Sequence, residues 1–329
     1  MPKRRTYLLS IGAAAIAATT LTVAACGGDD DDDGGSSDLS GTIVIDGSST
    51  VAPLSEAAAE LFQEENPGVR VTVGTSGTGG GFEKFCRGEI DISDASRQIK
   101  DEEIEACESN NITFEELDVA NDALSVILNP SNDFATCLTT DQLNTIWKPG
   151  SDVNNWNQVD PSFPDLKLSL FGPGTDSGTF DFFTDVINGE EGAQRTDYNN
   201  IGEDDNAAVT GVAGSEGGMG YLGYSFFSEN EGTIIAAEID GGEGCVAPSP
   251  DTAQDGTYAP LGRQLFIYPS GEALQKPEVQ AFVEFYINNN DEIAERASVI
   301  ALNDEQKEEA LAKVEALVSG EVSEDTSTS

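Results

Sequence analysis

Histidine is absent from this 329-residue chain and basic residues are scarce. Sixteen Lys+Arg stand against 60 Asp+Glu, a formal net charge of −44. The missing imidazole removes the commonest general base, the usual zinc ligand set and any Ser-His-Asp triad. A field this negative repels the backbone of DNA or RNA, which argues against a nucleic-acid partner. No C-x-x-C spacing occurs among the five cysteines, so neither a dithiol redox centre nor a zinc site is expected, and no cofactor is implied. What the chain does have is 38% hydrophobic residues, including 15 Phe, so it is not a disordered acidic polymer. Its length fits one large domain or two medium ones.

Lys3, Arg4 and Arg5 form a positive n-region, and Tyr7 to Ala25 is an uncharged, Ala-rich apolar stretch. It ends in Val23-Ala24-Ala25-Cys26, which resembles the lipobox of bacterial lipoproteins. The pattern predicts a signal peptide over 1–25, lipidation at Cys26 and an extracytoplasmic protein anchored to the cell membrane. Residues 26–40 read as a linker, since GGDDDDDGGSS (27–37) has no apolar residue and such a run stays extended and solvated. Arg4-Arg5 before Tyr7-Leu8-Leu9 loosely resembles a twin-arginine export signal, and paired basic residues are equally routine in any n-region, so the export route stays open. Without the leader, Cys86, Cys107, Cys137 and Cys245 remain, an even number for an oxidising compartment, with three connectivities available. Cys86 and Cys107 flank one strand-and-helix unit, so the expected pairs are Cys86–Cys107 and Cys137–Cys245.

From Gly41 to about Asn129 strands and helices alternate. Thr42–Ile45 is a β run, and Val51–Glu65 a helix with Leu54, Ala58, Leu61 and Phe62 apolar, stopped by Asn66-Pro67-Gly68. Val69–Val73 is a second strand, Gly79–Arg87 a helix, Ile90 and Ile92 a short strand, Asp101–Ser109 a helix and Leu124–Leu128 a buried strand. This order predicts an α/β fold with ligands at the carboxyl ends of strands. Further on, 148–165 are Asn-, Asp- and Pro-rich and 188–220 Gly-rich, interrupted by strands such as Leu166–Phe171. Leu265–Tyr268 is another strand, and Val279–Asn288 and Asp304–Val318 are amphipathic helices, the last capped by Asn303 or Asp304. The expected organisation is two α/β lobes, 41–121 plus 262–318 with 122–261 inserted, followed by a polar, disordered tail at 319–329.

One motif type occurs three times: a strand, a Gly/Ser/Thr turn, then a helix start. The turns are Asp46-Gly47-Ser48-Ser49-Thr50-Val51, Gly74-Thr75-Ser76-Gly77-Thr78-Gly79 and Gly172-Pro173-Gly174-Thr175-Asp176-Ser177-Gly178-Thr179. Helix N-termini expose unpaired N–H groups and about half a positive charge, so they attract anions. Each turn alone reads as ordinary capping chemistry; three in equivalent settings predict a site for a dehydrated oxyanion. Rival motifs fail. There is no Gly-x-Ser-x-Gly elbow, and 74–81 lacks the Gly-Lys-Ser/Thr ending of a P-loop. Gly218-Met219-Gly220-Tyr221-Leu222-Gly223 matches G-x-G-x-x-G but leads into Tyr224-Ser225-Phe226-Phe227, a β-like aromatic run. The Asp run 29–33 lacks the spacing of a calcium loop.

At these turns the sequence resembles the PstS family of phosphate-binding proteins of bacterial phosphate ABC transporters, especially its SphX-like branch. The similar stretches are DGSSTVAPLS (46–55), GTSGTGGGFEKFCRGEIDISDASRQI (74–99), LTTDQLNTIW (138–147), FGPGTDSGTFDFF (171–183), EDDNAAVTGVAGSEGGMGYLGY (203–224) and PLGRQLFIY (260–268), in family order. The resemblance implies a two-lobed, type 2 periplasmic-binding-protein fold, each lobe a mixed sheet flanked by helices, with hinge strands crossing near Leu117–Leu124 and Pro260–Phe266. It implies a monomeric binder, not an enzyme, that holds inorganic phosphate and hands it to the permease. Phosphate contacts are implied at Ser49, Thr50 and the backbone of Val51, at Ser76 with Thr78 as second choice, and at Ser177, Gly178 and Thr179. Two positions depart from better-known members. Pro173 replaces an arginine, and Arg97 replaces the aspartate that accepts the phosphate's own proton. Arg97 is therefore expected as the counter-charge, and either Asp94 accepts the proton or no acceptor exists. The alternatives are a binder of sulfate or another oxyanion, a secreted phosphatase-like hydrolase, and a surface adhesion protein. Since long-range steering by an acidic body opposes anion capture, the phosphate on-rate is expected to rise with salt.

Overall fold

The computed structural model describes residues 39–175 and 177–319. The expected signal peptide 1–25, the expected lipidation site Cys26, the expected linker up to residue 38, Asp176 in the third turn and the tail from 320 lie outside the described residues. Among the described residues no helix is long and apolar enough to cross a membrane.

The chain opens with β1 (Gly41–Gly47), α1 (Ala52–Glu65), β2 (Val69–Gly74), α2 (Thr78–Phe85), β3 (Ile92–Ala95) and α3 (Asp101–Ser109). It crosses on the long β4 (Leu117–Leu128) to β5 (Cys137–Thr139), α4 (Thr140–Trp147), β6 (Ser169–Gly172), α5 (Gly178–Asn188), β7 (Asn199–Asn200), α6 (Asp205–Ala213) and β8 (Gly218–Gly223). Then follow α7 (Tyr224–Glu229), β9 (Ile235–Ala236), β10 (Glu238–Asp240), β11 (Cys245–Val246) and α8 (Pro250–Gln254). The return is on β12 (Gly262–Pro269), followed by α9 (Pro277–Asn288), α10 (Asn290–Arg296) and α11 (Asp304–Ser319).

The main sheet runs β2-β1-β3-β12-β4-β8-β6-β7, and a small sheet runs β11-β10-β5. β4 makes the two-lobed division visible in its register. Leu117–Ala123 pair with β12, while Leu124–Leu128 pair with β8. The core changes at the same place. One apolar cluster gathers Ile43, Leu54, Phe62, Val119, Leu265 and Phe282, and another gathers Leu124, Val126, Trp147, Trp156, Phe183 and Tyr221. The first owes its packing to the i, i+4, i+8 face of α1: Leu54, Ala58 and Phe62 are buried, and Phe62 meets Phe282 and Phe285 edge-on at 5.4 Å. Truncating Phe62 to Ala would cost about 3–5 kcal/mol.

Cys86 bonds Cys107 across α2 and α3, and Cys137 bonds Cys245 across the small sheet, the pairing expected from the sequence. Other expectations change. Tyr224–Phe227 is not a strand; the glycine-patterned segment 218–223 is itself the buried β8, and the aromatics open α7. The segment therefore has no strand-to-phosphate loop for a dinucleotide. The Gly-rich stretch 188–220 conceals α6, started by Asp204, whose carboxylate accepts from the Ala207 amide at 3.3 Å. The strand expected at 166–171 is shorter, Ser169–Gly172.

Candidate functional site

β1 lies between β2 and β3, parallel to both, so the turns that follow all three leave the sheet on one edge. After β1, Gly47 passes so close to β3 that a Cβ there would lie 2.1 Å from the Asp94 carbonyl oxygen, and the Ser48 amide donates to that oxygen at 2.9 Å. The amides of Ser49 and Val51 find no acceptor among the described residues. The Gly77 amide donates to the Gly47 carbonyl at 2.9 Å, which ties the second turn to the first and aims the start of α2 beside it. From the other lobe α5 begins at Gly178, where a Cβ would sit 2.9 Å from Thr50 Oγ1. The third turn thus meets the first across the cleft, with first-turn amides of α2 and α5 left without helical acceptors.

These turns surround a cavity of about 420 Å³. Ser49, Thr50, Ser76, Thr78, Arg97 and Gly178 line it. Ser177 and Thr179 flank Gly178 without lining it, and Val51 turns its side chain into the core of the first lobe. Asp94 is placed differently from the expectation. On β3 its side chain points under α1, fully buried, and accepts from Ser55 Oγ at 2.9 Å, so it does not reach the cavity. Burial pushes this carboxyl well above the usual range; the Ser55 hydrogen bond opposes the shift and Asp46 adds to it.

The hydroxyls also sort themselves. Ser76 gives its amide and its hydroxyl proton to Asp46 Oδ1, at 2.9 and 2.8 Å. Burial would raise the Asp46 carboxyl, but Lys84 and these Ser76 donors hold it below its ordinary value. Thr78 Oγ1 instead accepts from the Ser96 amide at 3.2 Å and lies 3.2 Å from Ser96 Oγ, so its own proton is left for the cavity only where the Ser96 hydroxyl donates to it. Among the described residues no carboxylate takes the Thr78 proton, whereas Asp46 takes that of Ser76.

Arg97 lines the cavity but directs its fork elsewhere. Nη1 and Nη2 donate to the two oxygens of Glu103 at 2.8 Å each, and Nη1 also to the Gln98 carbonyl at 2.9 Å. The Glu103 hydrogen bond raises the guanidinium above its ordinary value. A second arginine, Arg263, lines the same cavity from β12. It pairs with Asp122 at 3.1 Å and lies 3.7 Å above the Phe182 ring. Sequence reasoning quoted Arg263 within PLGRQLFIY without assigning it a role. The available signal was the one charge in a strand that runs on into the apolar Leu265–Tyr268. Asp181, Asp185 and Glu191 also line the cavity, all from the α5 side. Burial and then Glu191 raise the Asp181 carboxyl, and Arg263 opposes them.

The family model of the PBP superfamily domain matches residues 34–290. Protein SphX of Synechococcus elongatus is 46% identical over 263 residues, 79% of this chain and 77% of that protein. The phosphate-binding protein PstS of Staphylococcus saprophyticus is 35% identical over 84% of this chain and 86% of that protein. Among solved structures, a protein described as a possible phosphate binding protein from Planctomyces limnophilus superimposes with a TM-score of 0.81 at 43% identity, covering 85% of this chain and 99% of that one.

Proposed function

The chain belongs to the PstS and SphX family within the PBP superfamily, and on that footing we propose that it binds inorganic phosphate in the cleft and delivers it to an ABC permease. The observation that carries this is the meeting of three helix-opening turns, with Thr50 and Gly178 in contact across the lobes, around one cavity of about 420 Å³. Amides of Ser49, Val51, Thr78, Gly79, Gly80 and Gly178, with the Thr50 and Thr78 hydroxyls, replace the water that the anion sheds. No covalent step is part of this role; the protein binds, closes and releases. The lobes are 41–121 plus 262–318 and 122–261, and they close about the crossing strands. The mature chain acts outside the cytoplasm as a monomer, tethered by lipid on Cys26.

Asp181 supports phosphate over sulfate. It stands on the first turn of α5, three residues from Gly178, and lines the cavity. A carboxylate there accepts the proton that phosphate carries and repels sulfate, which has none to give at neutral pH. Competition calorimetry tests the proposal: phosphate should bind at one site per chain and excess sulfate should not displace it. Exclusive sulfate binding, or turnover of a phosphate ester, would overturn it.

A further inference from the structure

Arg263 stands where both lobes, both crossing strands and the cavity meet. From β12 its Nε and Nη2 each donate to Asp122 Oδ2 of β4 at 3.1 Å. Nη2 also reaches Thr50 Oγ1, in the first turn, at 3.3 Å. Its guanidinium carbon lies 3.7 Å from the centroid of Phe182, on α5 of the other lobe. A guanidinium has five N–H donors. The two on Nη1 find no acceptor among the described residues, although the side chain is largely buried and lines the cavity. A largely buried cation with open donors, beside amides that are equally open, suits an anionic ligand. Arg97 keeps Nε and one Nη2 hydrogen uncommitted, but both carboxylate oxygens of Glu103 already meet its charge and its side chain is more exposed, 35% against 16% for Arg263.

We propose that Arg263, rather than Arg97, is the counter-charge of the bound oxyanion and that it couples occupancy to closure of the lobes. The inference rests on the phosphate-binding function above and deepens it. Asp122 holds one edge of the guanidinium, and the anion takes the other. Phe182 covers the face of the guanidinium only when α5 is docked against the first lobe. Covering it removes water, so the same charge attracts the anion more strongly in the closed form than in the open one. That difference in affinity is what lets a ligand shift the equilibrium toward closure. Lysine has one point charge and no planar fork, so it cannot hold Asp122, Thr50 and the anion at fixed angles while stacking on Phe182.

The test is phosphate calorimetry with small-angle X-ray scattering on the full chain, comparing wild type, R97Q, R263K and the double variant D122N/R263Q. The double variant orphans no buried charge and so preserves folding, which a thermal melt without phosphate verifies. Two lost charge-assisted hydrogen bonds predict a loss of about 100-fold in phosphate affinity for the double variant. R97Q should lose less than about tenfold, and R263K should show a smaller phosphate-induced compaction than wild type. Three results overturn the inference: a loss in the double variant below about tenfold, a larger loss in R97Q than in the double variant, or full compaction in R263K. Failure of the wild type to bind phosphate would be a failure of the phosphate-binding function itself and would take this inference with it.

Discussion

The two faces of the cleft are built from different chemistry. The first lobe presents donors: the Ser48–Thr50 and Ser76–Gly80 turns, Arg97, Lys100 and Arg263. The inserted lobe presents one helix start at Gly178 and then three carboxylates, Asp181, Asp185 and Glu191. One face is suited to holding an oxyanion, and the other to testing and enclosing it. A cleft of donors alone would attract any anion. Carboxylates on the other face would favour an anion that brings a proton to share with them.

The contact between the faces is the most sensitive place to break this division. Gly178→Ala places a methyl 2.9 Å from Thr50 Oγ1, and overpacking of about 1–3 kcal/mol predicts a loss of about 5–150-fold in phosphate affinity. Thr50→Ala makes room, so in a double-mutant cycle the pair should lose less than the sum of the single losses; strict additivity would show that the two turns do not meet in the bound state. Next in size is Asp181→Asn. Phosphate affinity should fall about tenfold while sulfate binding becomes measurable, both read by calorimetry at neutral pH. Unchanged selectivity would remove the testing role from the inserted lobe.

Asp94 probes the support behind the first face. Its carboxyl keeps its proton more tightly folded than unfolded, because burial disfavours the charge. The stability this gives is complete at low pH and is lost as pH rises through the folded-state pKa. Asp94→Asn has no such loss, so its melting temperature relative to wild type should rise with pH between about pH 4 and 8. A pH-independent difference would mean that the buried carboxyl titrates normally. The smallest effect concerns the whole acidic surface: raising salt from about 0.05 to 1 M shortens the Debye length to about 3 Å, and stopped-flow binding of phosphate should accelerate a few-fold rather than slow.

How much of this was legible in the sequence depended on whether the signal was local. The αβ alternation of the first lobe, the ends of α1 and α3 and the three turns follow from nearby caps, breakers and apolar spacing, and they appear nearly where expected. The inserted lobe was harder because its glycines signal loops by composition, yet in β8 the segment Gly218–Gly223 is a buried strand. Contacts between distant segments were not legible. Arg97 read as a counter-charge because it stands in a site motif, but Glu103, six residues on, occupies its fork. Asp94 read as one of two options for the proton acceptor, the other being none, but its place in β3 sends the side chain beneath α1. Arg263 enters the site only because the chain returns on β12 beside β4, a pairing across 141 residues that brings it to Asp122.

The most direct measurement is a crystal structure of the protein with phosphate. The account predicts one anion bridging the turns at Thr50, Thr78–Gly80 and Gly178, within hydrogen-bond reach of Arg263 Nη1 and Asp181. An anion bound elsewhere, or one held by Arg97 with Arg263 untouched, would contradict it.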